Sequence, residues 1–150
     1  QQRGMTPNEV ASLLYNKSGL LGVSGISADV RDLEASKNPR ATEALDLFAY
    51  RAARELGGLV AILGGLDVLV FTAGIGENSA GVRARILARL KWLGIELDPA
   101  ANAVHAIGIS RPESRCPVYV IPTDEELMIA RHTMMLIADR DVSASARARS

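Results

Sequence analysis

The chain has 150 residues, and its 17 Lys and Arg residues balance its 17 Asp and Glu residues, so its formal net charge at neutral pH is zero. This balance argues against a nucleic-acid-binding protein, which usually carries a basic excess. The sequence holds no apolar run of about 18 residues, so no membrane-spanning helix is predicted. The single cysteine, Cys116, can form no internal disulfide, which favours a reducing cytoplasm.

The amino-terminal part of the sequence predicts a capped helix followed by a loop. Thr6 is a favourable N-cap, Pro7 suits the first helical position and Glu9 completes a capping box. These signals predict a helix over 7–15. The small residues of the segment 20–28 predict a loop.

A long helix is predicted in the middle of the sequence. Apolar residues recur at helical spacing over 39–63, and the glycine pair at 64–65 forms a stop signal. A second glycine pair, at 57–58, interrupts the pattern, and we expect it to mark a bend or a close contact. Before this helix, the charged segment 29–32 is expected to open a short helical turn.

Strands and helices alternate in the second half of the sequence, which predicts an α/β fold with a parallel or mixed sheet. A short, apolar, β-branched run predicts a buried strand over 67–72. The elements expected after it are a tight turn over 74–78, a helix over 79–93, strands over 94–97, 104–109 and 117–121, and a helix over 123–138. The polar segment 141–150 is expected to be a flexible tail.

The segment from Gly74 to Asn78 follows the end of a predicted strand and is the first candidate for nucleotide binding. Its glycines allow the backbone to approach a ligand closely, and the start of the next helix favours anionic phosphate. The segment matches neither Gly-x-Gly-x-x-Gly nor the Walker A loop. A plain turn, with Asn78 or Ser79 as the next N-cap and Glu77 idle, therefore stays open.

The run Asp29-Val30-Arg31 is the second candidate. A carboxylate can hold ribose hydroxyls, and a guanidinium can stack on a base or bind phosphate. The other interpretation is a surface ion pair at a helix start, because such pairs are common and weak.

Acidic residues cluster after the last predicted strand, at Asp124, Glu125 and Glu126. Mg²⁺ usually binds proteins through one or two carboxylates together with substrate phosphates, so this cluster could hold that ion. A capping box with Thr123 as N-cap and Glu126 at the third helical position is the alternative. Capping accounts fully for Thr123 and Glu126 but only partly for Glu125, so Glu125 is the stronger candidate for a metal ligand.

The string Val70-Phe-Thr-Ala-Gly-Ile-Gly-Glu-Asn-Ser79 closely resembles the signature of the acetate kinases, within the superfamily of acetate and sugar kinases, Hsc70 and actin. Other segments resemble the family in the expected order, and the resemblance covers residues 4–138. These segments are Lys17-Ser-Gly-Leu to Asp32, Phe48-Ala-Tyr50, Leu93 to Asp98 and Ile121 to Arg131.

The resemblance implies a ribonuclease-H-like α/β domain, with a mixed sheet flanked by helices, in a homodimeric enzyme. It also implies reversible, ATP-dependent phosphorylation of acetate to acetyl phosphate with Mg²⁺. It places no catalytic residue in this chain, and it links Glu125 to Mg²⁺. The residues that it places against ATP or ADP are Asp29, Val30, Arg31, Gly74, Ile75, Gly76, Glu77 and Asn78.

The sequence departs from the family pattern in two respects. Asp124 stands where relatives usually have Asn, and family chains are much longer than this one. Residues 1–140 are therefore expected to form a carboxy-terminal nucleotide-binding domain, incomplete at its amino-terminal side, and the isolated chain is expected to be inactive. Two alternatives remain, because the acyl pocket falls mostly outside this chain: a propionate or butyrate kinase, and a non-catalytic module for nucleotide binding or dimerisation.

Overall fold

The computed structural model describes residues 4–147, with the side chains of Glu125 and of residues 138–147 outside the description. It contains two strands, β1 (Leu69–Phe71) and β2 (Val118–Val120), and a 3₁₀ turn over Lys91–Leu93. Its helices, in chain order, are α1 (Pro7–Asn16), α2 (Gly19–Ser24), α3 (Val30–Ala35), α4 (Pro39–Leu63), α5 (Ala73–Asn78), α6 (Ala80–Ala88), α7 (Pro99–Ala103) and α8 (Glu125–Arg147). None of the helices in this described part is long and apolar enough to cross a membrane.

The capped helix predicted over 7–15 is confirmed as α1, which continues to Asn16. The backbone N–H of Glu9 donates to Oγ1 of Thr6 (3.3 Å), and the N–H of Thr6 donates to the Glu9 carboxylate (2.7 Å). These bonds satisfy donors that the helix itself leaves free. The start of α1 is therefore set by its local sequence.

The central helix α4 has the predicted limits. The side chain of Asn38 caps its start by accepting a backbone N–H (3.0 Å). Gly64 ends it with φ 76°, in the left-handed region that glycine adopts without steric cost. Both glycines at 57–58 lie inside the helix, and a Cβ on Gly57 would stand 3.8 Å from the indole of Trp92. Gly57 thus marks a place where α4 packs against the 3₁₀ turn, whereas a Cβ on Gly58 would meet nothing within 4 Å.

Strands β1 and β2 pair in parallel, with Leu69 opposite Val118 and Phe71 opposite Val120. These four side chains are buried, whereas the central residue of each strand is exposed. The buried side chains join a core to which α3, α4 and α6 contribute apolar residues. Two isolated antiparallel bridges accompany the parallel pair. The predicted α/β fold is confirmed, with buried strands at 67–72 and 117–121 that are shorter than expected.

Two segments predicted to lack helix are helical. The loop predicted over 20–28 was wrong, because Gly19–Ser24 forms α2, which lies against α4 with Leu20 packed on the core. The tight turn predicted over 74–78 was also wrong, because this segment lies within α5. Most helical stability in proteins comes from tertiary packing, so short helices of this kind leave little local signal.

The predictions for the region after α5 need correction in three places. The helix expected over 79–93 ends at Ala88 and is followed by the separate 3₁₀ turn. The strands expected over 94–97 and 104–109 are absent from the described structure, which has only isolated bridges there. Asp98 instead caps α7, accepting N–H groups at 2.9 and 3.1 Å. The apolar residues that predicted the second strand include Val104 and Ile107, which are exposed rather than buried.

Helix α8 begins at Glu125, and its cap differs from the predicted one. The backbone N–H of Leu127 donates to Oδ1 of Asp124 (2.8 Å), so Asp124 rather than Thr123 holds the capping position. The helix runs to Arg147, past the predicted end at 138. That the segment 141–150 is a flexible tail stays a prediction, and its last residues, 148–150, lie outside the described chain.

Candidate functional site

A cleft of about 810 Å³ lies between the start of α3 and helix α5. Its volume is within the range of roughly 300–1,000 Å³ that is usual for small-molecule sites. The structure thus brings together the two segments that the sequence offered separately as nucleotide-binding candidates. The residues that line the cleft are Ala28, Asp29, Val30, Arg31, Gly74, Ile75, Asn78 and Ser79.

An ion pair forms the polar part of the α3 wall. Asp29 caps α3 by accepting the backbone N–H of Arg31 (2.8 Å), and its carboxylate also accepts from Nε (3.1 Å) and Nη2 (2.5 Å) of Arg31. These hydrogen bonds lower the pKa of Asp29 to about 2, so the carboxylate is ionised at neutral pH. Val30 is only 5% exposed and anchors this wall in the core.

The ion pair is accessible to a ligand. The Arg31 side chain is 86% exposed and the Asp29 side chain 37% exposed. Exposed pairs contribute only about 0–1 kcal/mol, so exchanging this one for ligand contacts costs little. The carboxylate could then accept from hydroxyl groups, and the guanidinium could bind a phosphate or stack on a base.

The opposite wall is formed by one face of α5. A Cβ built on Gly74 has no heavy atom within 4 Å, so the backbone of Gly74 is open towards the cleft. Nδ2 of Asn78 donates to the carbonyl of Gly74 (2.9 Å), and the side chain of Ile75 is partly exposed. The side chain of Ile75 thus gives an apolar surface next to the accessible backbone of Gly74. Such a surface suits a flat, partly apolar ligand group.

Gly76 and Glu77, predicted as nucleotide-binding residues, are outside the lining of this cleft. A Cβ on Gly76 would stand 3.4 Å from the backbone of Phe71, an ordinary van der Waals distance, so Gly76 faces β1. Oε1 of Glu77 accepts from the backbone N–H (2.9 Å) and the hydroxyl (3.0 Å) of Thr123. These bonds lower the pKa of Glu77 and tie α5 to the start of α8.

A hydrogen bond joins the two sides of the cleft. The hydroxyl of Ser79 donates to Oε1 of Glu34 on α3 (2.7 Å), and the same hydroxyl oxygen caps α6 by accepting the N–H of Val82 (3.0 Å). The carboxylate of Glu34 reaches Ser79 over Gly81, where a Cβ would stand only 2.4 Å from Oε1. A glycine at position 81 is therefore what allows this bond to form.

The two helical glycines Gly81 and Gly58 provide a matched test of this bond. Alanine in place of a glycine inside a helix stabilises a protein by roughly 0.5–1 kcal/mol, and Gly81, the second residue of α6, gains at most this amount. At Gly58, where a Cβ meets no neighbour, we expect this full gain in the free energy of unfolding. In Gly81→Ala the displaced Glu34 loses its bond to Ser79, at a cost of about 1 kcal/mol, so no net gain is expected. Denaturant unfolding of both variants measures the difference, and equal stabilisation would contradict it.

Arg83, which the sequence did not single out as a candidate, is the largest fully buried side chain among the described residues. It lies on α6, on the same buried face as Val82, Ile86 and Leu87. Its guanidinium contacts the carboxyl end of α5. A charged residue inside an apolar helical face was the available signal, but nothing in the local sequence indicated its partners.

The metal candidate Glu125 begins α8, and its side chain lies outside the described part of the structure. Neighbouring Asp124 uses Oδ1 to cap the helix. The side chains that are described contain no group of three His, Cys, Asp or Glu residues that could hold a metal ion. The described side chains therefore offer no Mg²⁺ cage made of protein alone.

Comparison with known proteins gives a consistent result. The profile of the acetokinase family matches residues 1–131. Acetate kinase from Nitrobacter hamburgensis is 55% identical over 143 residues, which are 95% of this chain and 35% of the relative. Acetate kinase from Rhodopseudomonas palustris strain TIE-1 is 56% identical over 138 residues, or 91% of this chain and 35% of the relative. The chain thus spans about a third of the length of these curated relatives.

Solved structures show the same similarity in three dimensions. The crystal structure of Porphyromonas gingivalis acetate kinase matches with a TM-score of 0.83 and 40% identity, over 91% of this chain and 36% of that chain. A propionate kinase from Francisella tularensis matches with a TM-score of 0.79 and 36% identity, over 85% of this chain and 34% of that chain. The fold of the described residues is therefore the fold that these kinases share in the matched region.

Proposed function

The chain belongs to the acetokinase family, and on that premise we propose that it serves the reversible, ATP-dependent phosphorylation of acetate to acetyl phosphate. The observation that carries this proposal is the cleft between α3 and α5, which is lined by two segments that resemble the family's nucleotide-binding motifs. A family of ATP-dependent phosphotransferases needs a site that holds ATP. This cleft offers a charged pair, Asp29 and Arg31, on one wall and an accessible helix face on the other.

In this proposal the two walls bind different parts of ATP or ADP. The carboxylate of Asp29 accepts from ribose hydroxyls, and the guanidinium of Arg31 contacts phosphate or stacks on the base. Gly74, Ile75 and Asn78 hold the adenosine against α5. Phosphoryl transfer depends chiefly on positioning and charge neutralisation, so a rigid nucleotide site is a substantial part of the mechanism.

The proposal includes Mg²⁺ as the metal, with Glu125 as its protein ligand. When bound, Mg²⁺ neutralises charge on the phosphates. The bonds between Glu77 and Thr123 hold the start of α8 against α5, and α5 is a wall of the cleft. Glu125 therefore begins a helix that is fixed next to the nucleotide site. The acetate pocket and the catalytic residues are proposed to lie in the remaining length of the enzyme.

We also propose that the enzyme is a cytoplasmic homodimer with small-molecule substrates and no nucleic-acid or membrane partner. A balanced net charge and one free, buried cysteine support this view. Helix α1 exposes Val10, Leu13 and Leu14, an apolar surface of the kind that commonly forms contacts between subunits.

A propionate kinase is the second candidate, because a protein with that name shares the fold of this region. The described residues form the nucleotide side of the site and contain no acyl pocket that we can assign, so they do not distinguish acetate from propionate or butyrate. A non-catalytic module for nucleotide binding or dimerisation is the third candidate.

An acyl-phosphate assay of the intact protein with ATP and Mg²⁺ separates these candidates. We expect kcat/KM for acetate to exceed that for propionate by at least about tenfold, because one methylene changes specificity by about 10–200-fold. A preference for propionate or butyrate would indicate the second candidate. ADP binding without any acyl phosphate would indicate the non-catalytic module. Residues 1–150 alone are expected to make no acetyl phosphate. Turnover by these residues would refute the proposal that the acetate pocket and the catalytic residues lie in the remaining length of the enzyme.

A further inference from the structure

Arg83 is buried, and no carboxylate among the described side chains pairs with it. Its side chain has no solvent exposure, and none of the ion pairs found in the described residues includes it. Desolvation lowers the pKa of Arg83, and the charge of Glu34 opposes that change. A buried charge costs several kcal/mol unless its hydrogen bonds are well satisfied. The partners of the Arg83 guanidinium therefore indicate what it holds in place.

Backbone and side-chain acceptors surround the Arg83 guanidinium. Nη1 donates to the carbonyls of Gly76 and Glu77, both at 2.8 Å. Nε donates to Oδ1 of Asn102 (2.7 Å), and Nη2 donates to the carbonyl of Asn102 (2.9 Å). Nη2 also lies 3.2 Å from Nδ1 of His105. The side chain thus connects α5 to α7 from its place on α6.

Two of these acceptors belong to the last turn of α5, whose carbonyls have no partner within the helix. A positive charge there also interacts favourably with the negative end of the helix dipole. The other end of α5 is strained, because Ala73 has φ 58°, a conformation that costs a residue with a Cβ about 1–2 kcal/mol. Helix α5 is therefore strained where it begins and held by Arg83 where it ends.

We infer that Arg83 is a positioning residue for the nucleotide. By holding the carboxyl end of α5, it keeps Gly74 and Asn78 at the distance from α3 that the cleft requires. It touches no residue of the α3 wall in the described contacts, so its effect passes through α5. This inference rests on the proposed function, since it assumes that the cleft binds adenine nucleotide.

Variants of the intact protein test this inference by calorimetric titration with ADP. Arg83→Lys keeps the charge but not the fork of donors, and we expect the Kd for ADP to rise by roughly tenfold, since small displacements in a binding site have large effects. Asn102→Ala removes one acceptor of Arg83 and leaves the arginine in place, and we expect a smaller rise of about threefold. In kinetics, KM for ATP rises in both variants while KM for acetate is unchanged.

Arg85→Lys is the matched control, because Arg85 lies on the same helix but binds Asp46 on α4 (2.7 Å). Its Kd for ADP is expected to match that of the wild type. Wild-type ADP affinity in soluble Arg83→Lys and Asn102→Ala would overturn the inference. An equal rise in KM for acetate would also overturn the inference. Insolubility of both variants would overturn it as well, because it would assign Arg83 to folding alone. A wild type that binds ADP but makes no acetyl phosphate would refute the proposed function and leave the inference standing.

Discussion

We expect Gly74→Leu to weaken ADP binding by the intact protein roughly 10- to 100-fold while leaving its fold unchanged. Inserting methylene groups into a filled site costs about 1–3 kcal/mol, and each 1.4 kcal/mol is about tenfold in affinity. A Cβ at position 74 meets no protein atom within 4 Å, and Gly74 lines the cleft, so we expect the added side chain to occupy cleft space rather than to displace a neighbour. Isothermal titration of the purified variant with ADP measures the effect.

Gly58→Leu is the control for this substitution. Gly58 also lies in a helix, and a Cβ there also has no neighbour within 4 Å, but it is remote in sequence from the cleft lining and does not belong to it. We expect its Kd for ADP to equal that of the wild type, and both variants to unfold at temperatures no lower than that of the wild type. Normal ADP affinity in a folded Gly74→Leu variant would show that the cleft is not the nucleotide site.

The second large effect is expected from Glu125→Gln in the intact protein. If Glu125 holds Mg²⁺ against the phosphates, the neutral amide removes the charge that binds the ion but keeps the size of the side chain. We expect kcat to fall about 10²–10³-fold, the usual cost of removing one group that stabilises transition-state charge. ADP binding in the absence of metal should be unaffected. Initial rates across a Mg²⁺ titration provide the measurement.

Glu126→Gln serves as the neighbouring control, because Glu126 is the next residue of α8 and its side chain is exposed. Its rates and its Mg²⁺ dependence should match those of the wild type. An unchanged Mg²⁺ titration in Glu125→Gln would remove Glu125 from the metal site. Equal losses in both variants would point to a general effect on the start of α8 instead.

Local signals decided which elements could be predicted from sequence. Helices α1 and α4 have a side-chain cap at one end and, in α4, a glycine at the other, and both have the predicted starts. Helix α2 has no side-chain cap bond, and its packing against α4 was not visible in the sequence. The false strand at 104–109 came from apolar residues such as Val104, which the structure leaves exposed.

The candidate site, too, could be predicted only where the local sequence carries a signal. The segments around Asp29 and Gly74 were identified from their residue types, and the structure places them on one cleft. The bonds from Ser79 to Glu34 and from Arg83 to Glu77 join residues on different elements. Such polar contacts leave no periodic or local pattern, so the groups that hold the cleft together could not be predicted from the sequence.

A crystal structure of the intact protein grown with ADP tests the central claim most directly. We predict that the adenosine lies between α3 and α5, with its ribose at the Asp29 carboxylate and its base against Gly74 and Ile75. The bond between Asp29 and Arg31 should open where the nucleotide replaces it. ADP bound at another place on the protein, with the Asp29–Arg31 pair intact and this cleft free of nucleotide, would contradict the account.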